Sequence, residues 1–490
     1  MEHVDVLIVG AGISGIGAAC RLRERCPGKS FAIAEARGEI GGTWDLFRFP
    51  GIRSDSDMFT LSFPFRPWRG AQAIVGGAEI RDYVRDTARA YGVDRAIRFH
   101  HRVLSAEWSS EQARWVVELE RTDTGEPVQM SCGFLYGCTG YYRYDRPYAP
   151  EFGGSERFAG RIVHPQAWTD DVDYAGKRVV VIGSGATAVT LIPALAERAA
   201  HVTMLQRSPS YVISLPSVDP LARLAERVLP EALAYRVVRA KNALVAILIW
   251  TFSRRRPHAM RRLIRALTRR QLPPGFDVDT HFNPRYDPWD QRMCIIPDND
   301  LFAAIRSGQV SVVTDRVETF TETGIRLASG AELEADLVVT ATGLALVPLG
   351  GIRLAIDGRE VDLADTFAYR GMQVSGVPNL AFAFGYINQS WTLGADLTSL
   401  QVCRLLNHMD RHGYTAVTPR HPGPAASAVP FAELSSGYIR RDIAHFPKQT
   451  TAEPWRREQN YAQNRRAVLR SPLDDPALEF SRAVPAKVAA

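Results

Sequence analysis

Two stretches of the chain share one pattern of apolar and polar positions: an unbroken apolar run, a glycine-rich turn, then apolar residues at helical spacing. In the first, Val4 to Val9 leads into Gly10-Ala11-Gly12-Ile13-Ser14-Gly15 and a helix carrying Ile16, Ala19 and Leu22 on one face. In the second, about 170 residues further on, Val179 to Ile182 leads into Gly183-Ser184-Gly185-Ala186-Thr187-Ala188 and a helix through Leu191 and Leu195. Each predicts a β-α-β mononucleotide-binding unit. Strand-like runs at Trp115 to Glu120 and Phe134 to Cys138 lie between them, and Val310 to Val313 and Leu337 to Thr340 come after the second.

The order of these runs predicts an α/β fold with two Rossmann-like dinucleotide-binding domains. The chain leaves the first near Tyr141 and returns near Ala341, and each crossing carries Thr-Gly after an apolar strand, as Cys138-Thr139-Gly140 and Ala341-Thr342-Gly343. Strand ends of that kind border a ligand crevice. The expected division is residues 1–140 and 341–490 for the first domain and its C-terminal tail, and 141–340 for the second. Arg-rich helical periodicity over about 216–291 predicts a helical insertion in the second domain. The tail after about Ala425, rich in Pro and Ala and then charged, is expected to wrap the surface.

Composition narrows the class without naming a chemistry. A chain of 490 residues exceeds what one core serves, and 46% hydrophobic with 23% charged residues is ordinary for a soluble globular protein. A net charge of +6 over this length fits anionic cofactors, and without a recognised module no nucleic-acid partner is expected. The six cysteines, at 20, 26, 132, 138, 294 and 403, form neither a C-x-x-C pair nor a metal-ligand pattern, so reduced thiols, no metal and a cytoplasmic location are expected. The first strand starts so early that no targeting segment is expected before it. The apolar run Ala243 to Phe252 is too short to span a bilayer.

The strands after the two glycine turns end differently. Beyond the first turn, Phe31 to Ala34 ends at Glu35, 20 residues after Gly15. A carboxylate there accepts from the paired ribose hydroxyls of an unphosphorylated adenosine, while Gly10, Gly12, Ser14 and Gly15 bring backbone N–H groups and a helix dipole to a pyrophosphate, which suits FAD. Beyond the second turn, His201 to Leu205 ends in Gln206-Arg207-Ser208. A permanently charged planar fork beside a hydroxyl suits a 2'-phosphate, so Gly183, Ser184, Gly185, Thr187, Ala188, Arg207 and Ser208 are assigned to NADPH. Two unlike dinucleotide sites in one chain imply a flavoprotein that draws hydride from a nicotinamide.

The stretch Gly41-Gly42-Thr43-Trp44-Asp45-Leu46-Phe47-Arg48-Phe49-Pro50-Gly51-Ile52-Arg53-Ser54-Asp55 resembles the long fingerprint of type I Baeyer-Villiger monooxygenases. Phe158-Ala159-Gly160-Arg161-Ile162-Val163-His164-Pro165-Gln166-Ala167-Trp168 is similar to their second fingerprint, and it departs from it in carrying Thr169 after the tryptophan. Ser56-Asp57, Asn283-Pro284 and Pro288-Trp289-Asp290-Gln291-Arg292 extend the likeness toward the mycobacterial subgroup that activates thioamides. The resemblance implies that NADPH reduces FAD, that O2 adds at the flavin C4a position as a peroxyflavin, and that a ketone becomes an ester or lactone. Sulfides or thioamides are implied as further substrates. It further implies Arg292 as the catalytic arginine, Asp55 as its partner, Thr43 and Trp44 near the flavin, and Gln291 beside NADPH. Phe158, Gly160, His164 and Trp168 stand where a hinge couples NADP movement to the site, and Asn388 to Thr392 resembles a flavin-edge segment.

Alternatives stay open at several of these positions. Asp55 also reads as the cap of a helix through Asp57 to Leu61, and Arg292 as one surface arginine among many. The basic run Arg254-Arg255-Arg256 with Arg261, Arg262, Arg265, Arg269 and Arg270 reads either as a solvated face or as a weak peripheral contact with an anionic membrane. An oxygenase restricted to nitrogen or sulfur is the alternative activity. A disulfide reductase lacks its cysteine pair beside the flavin, and a non-catalytic flavin-binding scaffold would need neither Arg292 nor NADPH.

Overall fold

Each glycine turn closes a strand buried on both faces. Strand β1 (Glu2–Val9) runs between β2 (Phe31–Ala34) and β3 (Pro127–Gly137), parallel to both, with Val6 level with Phe31 on one side and Phe134 on the other. Val6, Leu7 and Ile8 are fully buried, which explains the unbroken apolar run: side chains pointing up and down both enter core. The computed structural model describes residues 1–423 and 426–482. Beyond β2 the sheet ends at Ile97–Arg98, and beyond β3 it turns antiparallel through Arg114–Arg121 and His101–Ser109. Arg353–Ile356 then pairs with His101–Ser109, and Leu380–Phe382 pairs with β3, so strands far apart in sequence share this sheet.

The intervening chain builds a second sheet, entirely parallel. Its strands are β4 (Arg161–Val163), β5 (Arg178–Ile182), β6 (His201–Gln206), β7 (Val310–Thr314) and β8 (Leu337–Thr340), in the spatial order β7-β6-β5-β8-β4. Helix α1 (Ile13–Arg25) succeeds the first turn and α2 (Ala186–Ala196) the second. Three longer helices form the insertion: α3 (Pro220–Val228), α4 (Glu231–Arg255) and α5 (Pro257–Gln271). A parallel ribbon, Val212–Leu215 against Cys294–Pro297, brackets them and returns the chain to where it left.

The first unit is locked by α6 (Trp391–His412), which packs along α1. Arg21 and Asp396 pair across that seam at 2.7 Å, each 8% exposed. The tail departs from the surface wrap expected of it. Ala425 itself lies outside the described residues, but Phe431, Leu434, Phe446, Trp455 and Val468 are buried, and Leu478–Ser481 pairs with Ala416–Pro419. Large apolar side chains spaced among Pro and charged residues are enough to seat an irregular segment in the core.

Candidate active site

The carboxyl ends of β1 and β5 open on one cavity of about 1530 Å³, lined by both glycine turns, both Thr-Gly crossings, the Gly41 to Asp55 stretch and part of the tail. In the first turn a Cβ on Gly15 would stand 1.8 Å from the Gly10 carbonyl oxygen, so only glycine lets α1 start this close to β1. Ala188, at the equivalent place in α2, is buried, so the second helix accommodates a methyl group. Neither α1 nor α2 is capped by a side chain at Gly12 or Gly185. Ile13 and Ser14 of α1 and Ala186 and Thr187 of α2 line the cavity, as an anion site at a helix N-terminus requires.

Glu35 is buried on the cavity wall, where its two oxygens accept from Ala11 N–H at 2.7 Å and Arg37 N–H at 2.9 Å. Burial raises its pKa, and each oxygen retains a lone pair for a hydroxyl. The Ser14 hydroxyl accepts from Trp391 Nε1 at 2.7 Å, and the Trp391 ring stacks on Tyr141 with centroids 5.3 Å apart. Thr43 and Tyr144 share a hydroxyl contact of 2.8 Å, and Trp44 lines the cavity half-buried.

At the second turn Ser184 Oγ donates to the Ser208 carbonyl at 3.0 Å and lies 3.0 Å from Ser210 Oγ. Arg207 and Ser208 are exposed on the cavity rim, and Thr187 and Gln291 line it. Arg316 joins Arg207 there, a cation the sequence reading missed. The two lie just past adjacent strand ends, because Thr314 of β7 is level with Gln206 of β6. A basic residue after a strand end was the available signal.

Across the cavity Arg292 meets Asp55 through two parallel bonds, Nε to Oδ2 at 3.0 Å and Nη2 to Oδ1 at 2.7 Å, between residues 237 apart in sequence. The cap alternative for Asp55 is settled by its neighbour: Asp57 accepts from Thr60 N–H at the start of Met58–Leu61. The pair keeps part of its surface open, 32% for the arginine side chain and 21% for the aspartate. Asp55 is the main cause of a guanidinium pKa raised above the ordinary arginine value. Among the described residues Arg292 Nη1 has no acceptor. Around it stand Tyr141, Tyr142 and Tyr438, the first two joined by a 2.8 Å hydroxyl contact. Burial raises the pKa of all three, so they are neutral phenols. Tyr438 comes from the tail, where no sequence signal marked it.

Local chain geometry delivers Arg292 to this point. Trp289, buried, adopts a left-handed backbone at φ +73°, which folds Pro288 back against Gln291. The Asp290 carbonyl accepts from Ser435 N–H at 2.7 Å, tying the turn to the tail, and Arg254 pairs with Asp290 at 2.7 Å.

The Gly41 to Asp55 stretch joins the two units physically. Its start is pinned by the buried Asp45 to Arg37 at 2.6 Å, beside the first glycine turn. Its middle enters the second core, where Phe47 and Phe49 pack with Val179, Val181 and Leu191. A Cβ on Gly51 would meet Thr190 O and the Ala194 methyl of α2 at 2.8 Å each, so the backbone lies directly on that helix.

None of Phe158, Gly160, His164 and Trp168 lines the cavity. His164 Nδ1 accepts from Gln166 N–H at 3.1 Å, which leaves Nε2 as the donor to the Gly343 carbonyl at 3.2 Å. The ring therefore ties the segment entering the second unit to the Thr-Gly crossing that leaves it. Gln166 adds a second tie, donating to the Arg143 carbonyl at 2.9 Å. Trp168 is buried against Tyr174, and Phe158 against Phe320. A Cβ on Gly160 would stand 2.5 Å from the Phe158 ring. Gln389 lines the cavity buried, with no partner for either side-chain polar atom among the described residues, and Asn388 donates to the Gln459 carbonyl at 2.9 Å.

Residues 62–348 match the family described as flavin-binding monooxygenase-like, and residues 8–76 match an NAD(P)-binding Rossmann-like domain. The FAD-containing monooxygenase EthA of Mycobacterium tuberculosis (strain ATCC 25618 / H37Rv) is 54% identical over 482 residues, 98% of either chain. Among solved structures, an oxidized steroid monooxygenase bound to NADP aligns with a TM-score of 0.76 at 23% identity, covering 98% of this chain and 100% of that one. OTEMO in complex with FAD and NADP aligns at 0.73 and 20% identity, over 98% and 99%. These two carry the fold, in accord with two dinucleotide domains.

Proposed function

The chain belongs to the flavin-binding monooxygenase-like family, and on that premise we propose that it is an FAD- and NADPH-dependent enzyme that converts ketones to esters or lactones. The first glycine turn with Ser14 and Glu35 holds FAD, with Thr43 and Trp44 beside it, and the second turn with Arg207, Ser208 and Arg316 holds NADPH. Uncapped helix ends and open space at the Gly185 Cβ position support that fit. When bound and reduced, the flavin supplies an oxygen atom from O2.

The protein's own part is to stabilise charge and exclude water. Arg292, steered by Asp55, points Nη1 at the oxygen of the reacting carbonyl and stabilises the negative charge that develops there. The neutral phenols of Tyr141, Tyr142 and Tyr438 stand around it and wall off solvent. His164, by tying the segment that enters the second unit to the Thr-Gly crossing that leaves it, keeps the second unit in register with the first. The observation that carries this reading is the two-bond Arg292 to Asp55 pair set in the cavity between two unlike glycine turns.

The test is incubation of the flavin-loaded protein with NADPH, O2 and phenylacetone, a long-chain ketone, a thioether or a thioamide, with products identified by mass. Ester is the expected product, and Arg292→Ala is expected to keep flavin reduction by NADPH while losing ester. Sulfoxide alone would replace this reading by oxygenation restricted to heteroatoms.

A further inference from the structure

The insertion carries a surface that the reaction does not use. Of the sixteen large apolar side chains that stand exposed among the described residues, twelve lie on α3, α4 and α5. On α4 they form a stripe at helical spacing, Leu233, Val237, Leu244, Leu248 and Phe252, running the length of the helix. Leu221, Leu224 and Val228 are exposed on α3, and Leu263 and Leu267 on α5, the two helices that pack against α4. The opposite faces are firmly seated. Ala222, Ala225, Ala234 and Val238 share one buried cluster with Phe59, and Arg239 donates to the carbonyls of Phe59 at 2.7 Å and Ser62 at 2.8 Å. The stripe therefore belongs to a fixed helix.

The charge around it has one sign. Residues 220–271 hold thirteen Lys or Arg against two Glu, a net +11 on a chain whose total is +6, which leaves the rest of the protein net −5. Arg254, Arg261, Arg265 and Arg269 are spent on Asp290, Asp287 and Asp279. Arg255, Arg256, Arg262 and Arg270 are exposed and have no ion pair among the described residues, and the same holds for Arg223, Arg227 and Arg236.

We propose that this face docks the protein on an anionic lipid bilayer, the leucine stripe entering the acyl boundary and the free arginines meeting lipid phosphates. An apolar stripe edged by cations is what such an interface accepts. A nucleic acid offers nothing to the leucines. A second copy of the chain would set one +11 surface against another. No helix of the described residues is long and apolar enough to cross a membrane, so the contact is peripheral. The inference is independent of which substrate is oxidised.

Flotation of the flavin-loaded protein with vesicles of phosphatidylglycerol and phosphatidylcholine, and with phosphatidylcholine alone, tests it. Binding to the anionic vesicles is expected at low salt, weakening at least tenfold near 1 M salt, where the screening length falls to about 3 Å. Each arginine near the surface contributes about fivefold, so R255Q/R256Q/R262Q/R270Q should bind on the order of 600-fold more weakly. L244E/L248E should lose a factor of about 100, with NADPH-driven flavin reduction unchanged in both variants. The arginine variant serves alone if the leucine variant does not fold. Absence of binding to anionic vesicles at low salt, equal binding by the variants, or a concentration-dependent dimer abolished by L244E/L248E would each overturn the proposal.

Discussion

Removing the Asp55 carboxylate separates positioning from chemistry. In Asp55→Ala, Arg292 loses both of its protein bonds, at 3.0 and 2.7 Å. Hydrogen bonds to charged groups are worth about 1.5–3 kcal/mol each. With 21% and 32% of the two side chains open to solvent, the low end applies, for a total of about 3 kcal/mol. Asp55→Asn keeps one acceptor and should lose about half of that. If the fork is what aims Nη1, these losses appear in oxygen transfer, about 100-fold for alanine and about 10-fold for asparagine. Stopped-flow reduction by NADPH, measured without oxygen, should change by less than about twofold, since the nicotinamide step does not use the pair. Product yield and hydrogen peroxide are read together, because misplaced Nη1 diverts O2 to peroxide. A double-mutant cycle with Arg292→Lys isolates the pair, with an expected coupling of at least about 1.5 kcal/mol. Additive effects, or an Asp55→Ala enzyme with unchanged product yield, would refute the argument.

Arg207 and Arg316 are exposed and share one rim, so replacing either with Ala should raise the KM for NADPH about 10- to 100-fold and leave NADH nearly unaffected; parallel steady-state titrations with the two nucleotides check this, and equal effects on both would remove the 2'-phosphate assignment. His164 is held neutral by burial, its pKa below the ordinary 6.5, so the unfolded chain takes up the proton first as pH falls. Stability should therefore drop as pH falls below about 6.5, and His164→Gln should lose less than the native protein between about pH 7.5 and 5.5 in thermal unfolding. Gly51→Ala places a methyl 2.8 Å from Thr190 O at φ +74°, and should cost about 1–3 kcal/mol in denaturant titration while weakening NADPH more than FAD binding.

What could be read in advance was whatever a short window contains. The β1 and β5 runs, the two turns and the contrast between Glu35 and Arg207 are local, because burial on both faces and the turn geometry act within about ten residues. Arg292 and Asp55 were legible only through a resemblance, since nothing in either window distinguishes a cavity pair from a cap or a surface arginine. Tyr438 and Arg316 reach the site through the tertiary path of the tail and the pairing of β6 with β7, which no window holds. The insertion meets the same limit from the other side: Ala243 to Phe252 reads only as an apolar run too short to span a bilayer, and nothing in that window shows that Leu244, Leu248 and Phe252 face outward. The length of the Gly41 to Asp55 fingerprint now has a physical cause. It starts at one glycine turn, buries Phe47 and Phe49 in the other unit, lays Gly51 on α2 and ends by holding Arg292. A segment that must satisfy two cores and a cavity in 15 residues has few free positions, and that is why so long a pattern can be read from a single chain.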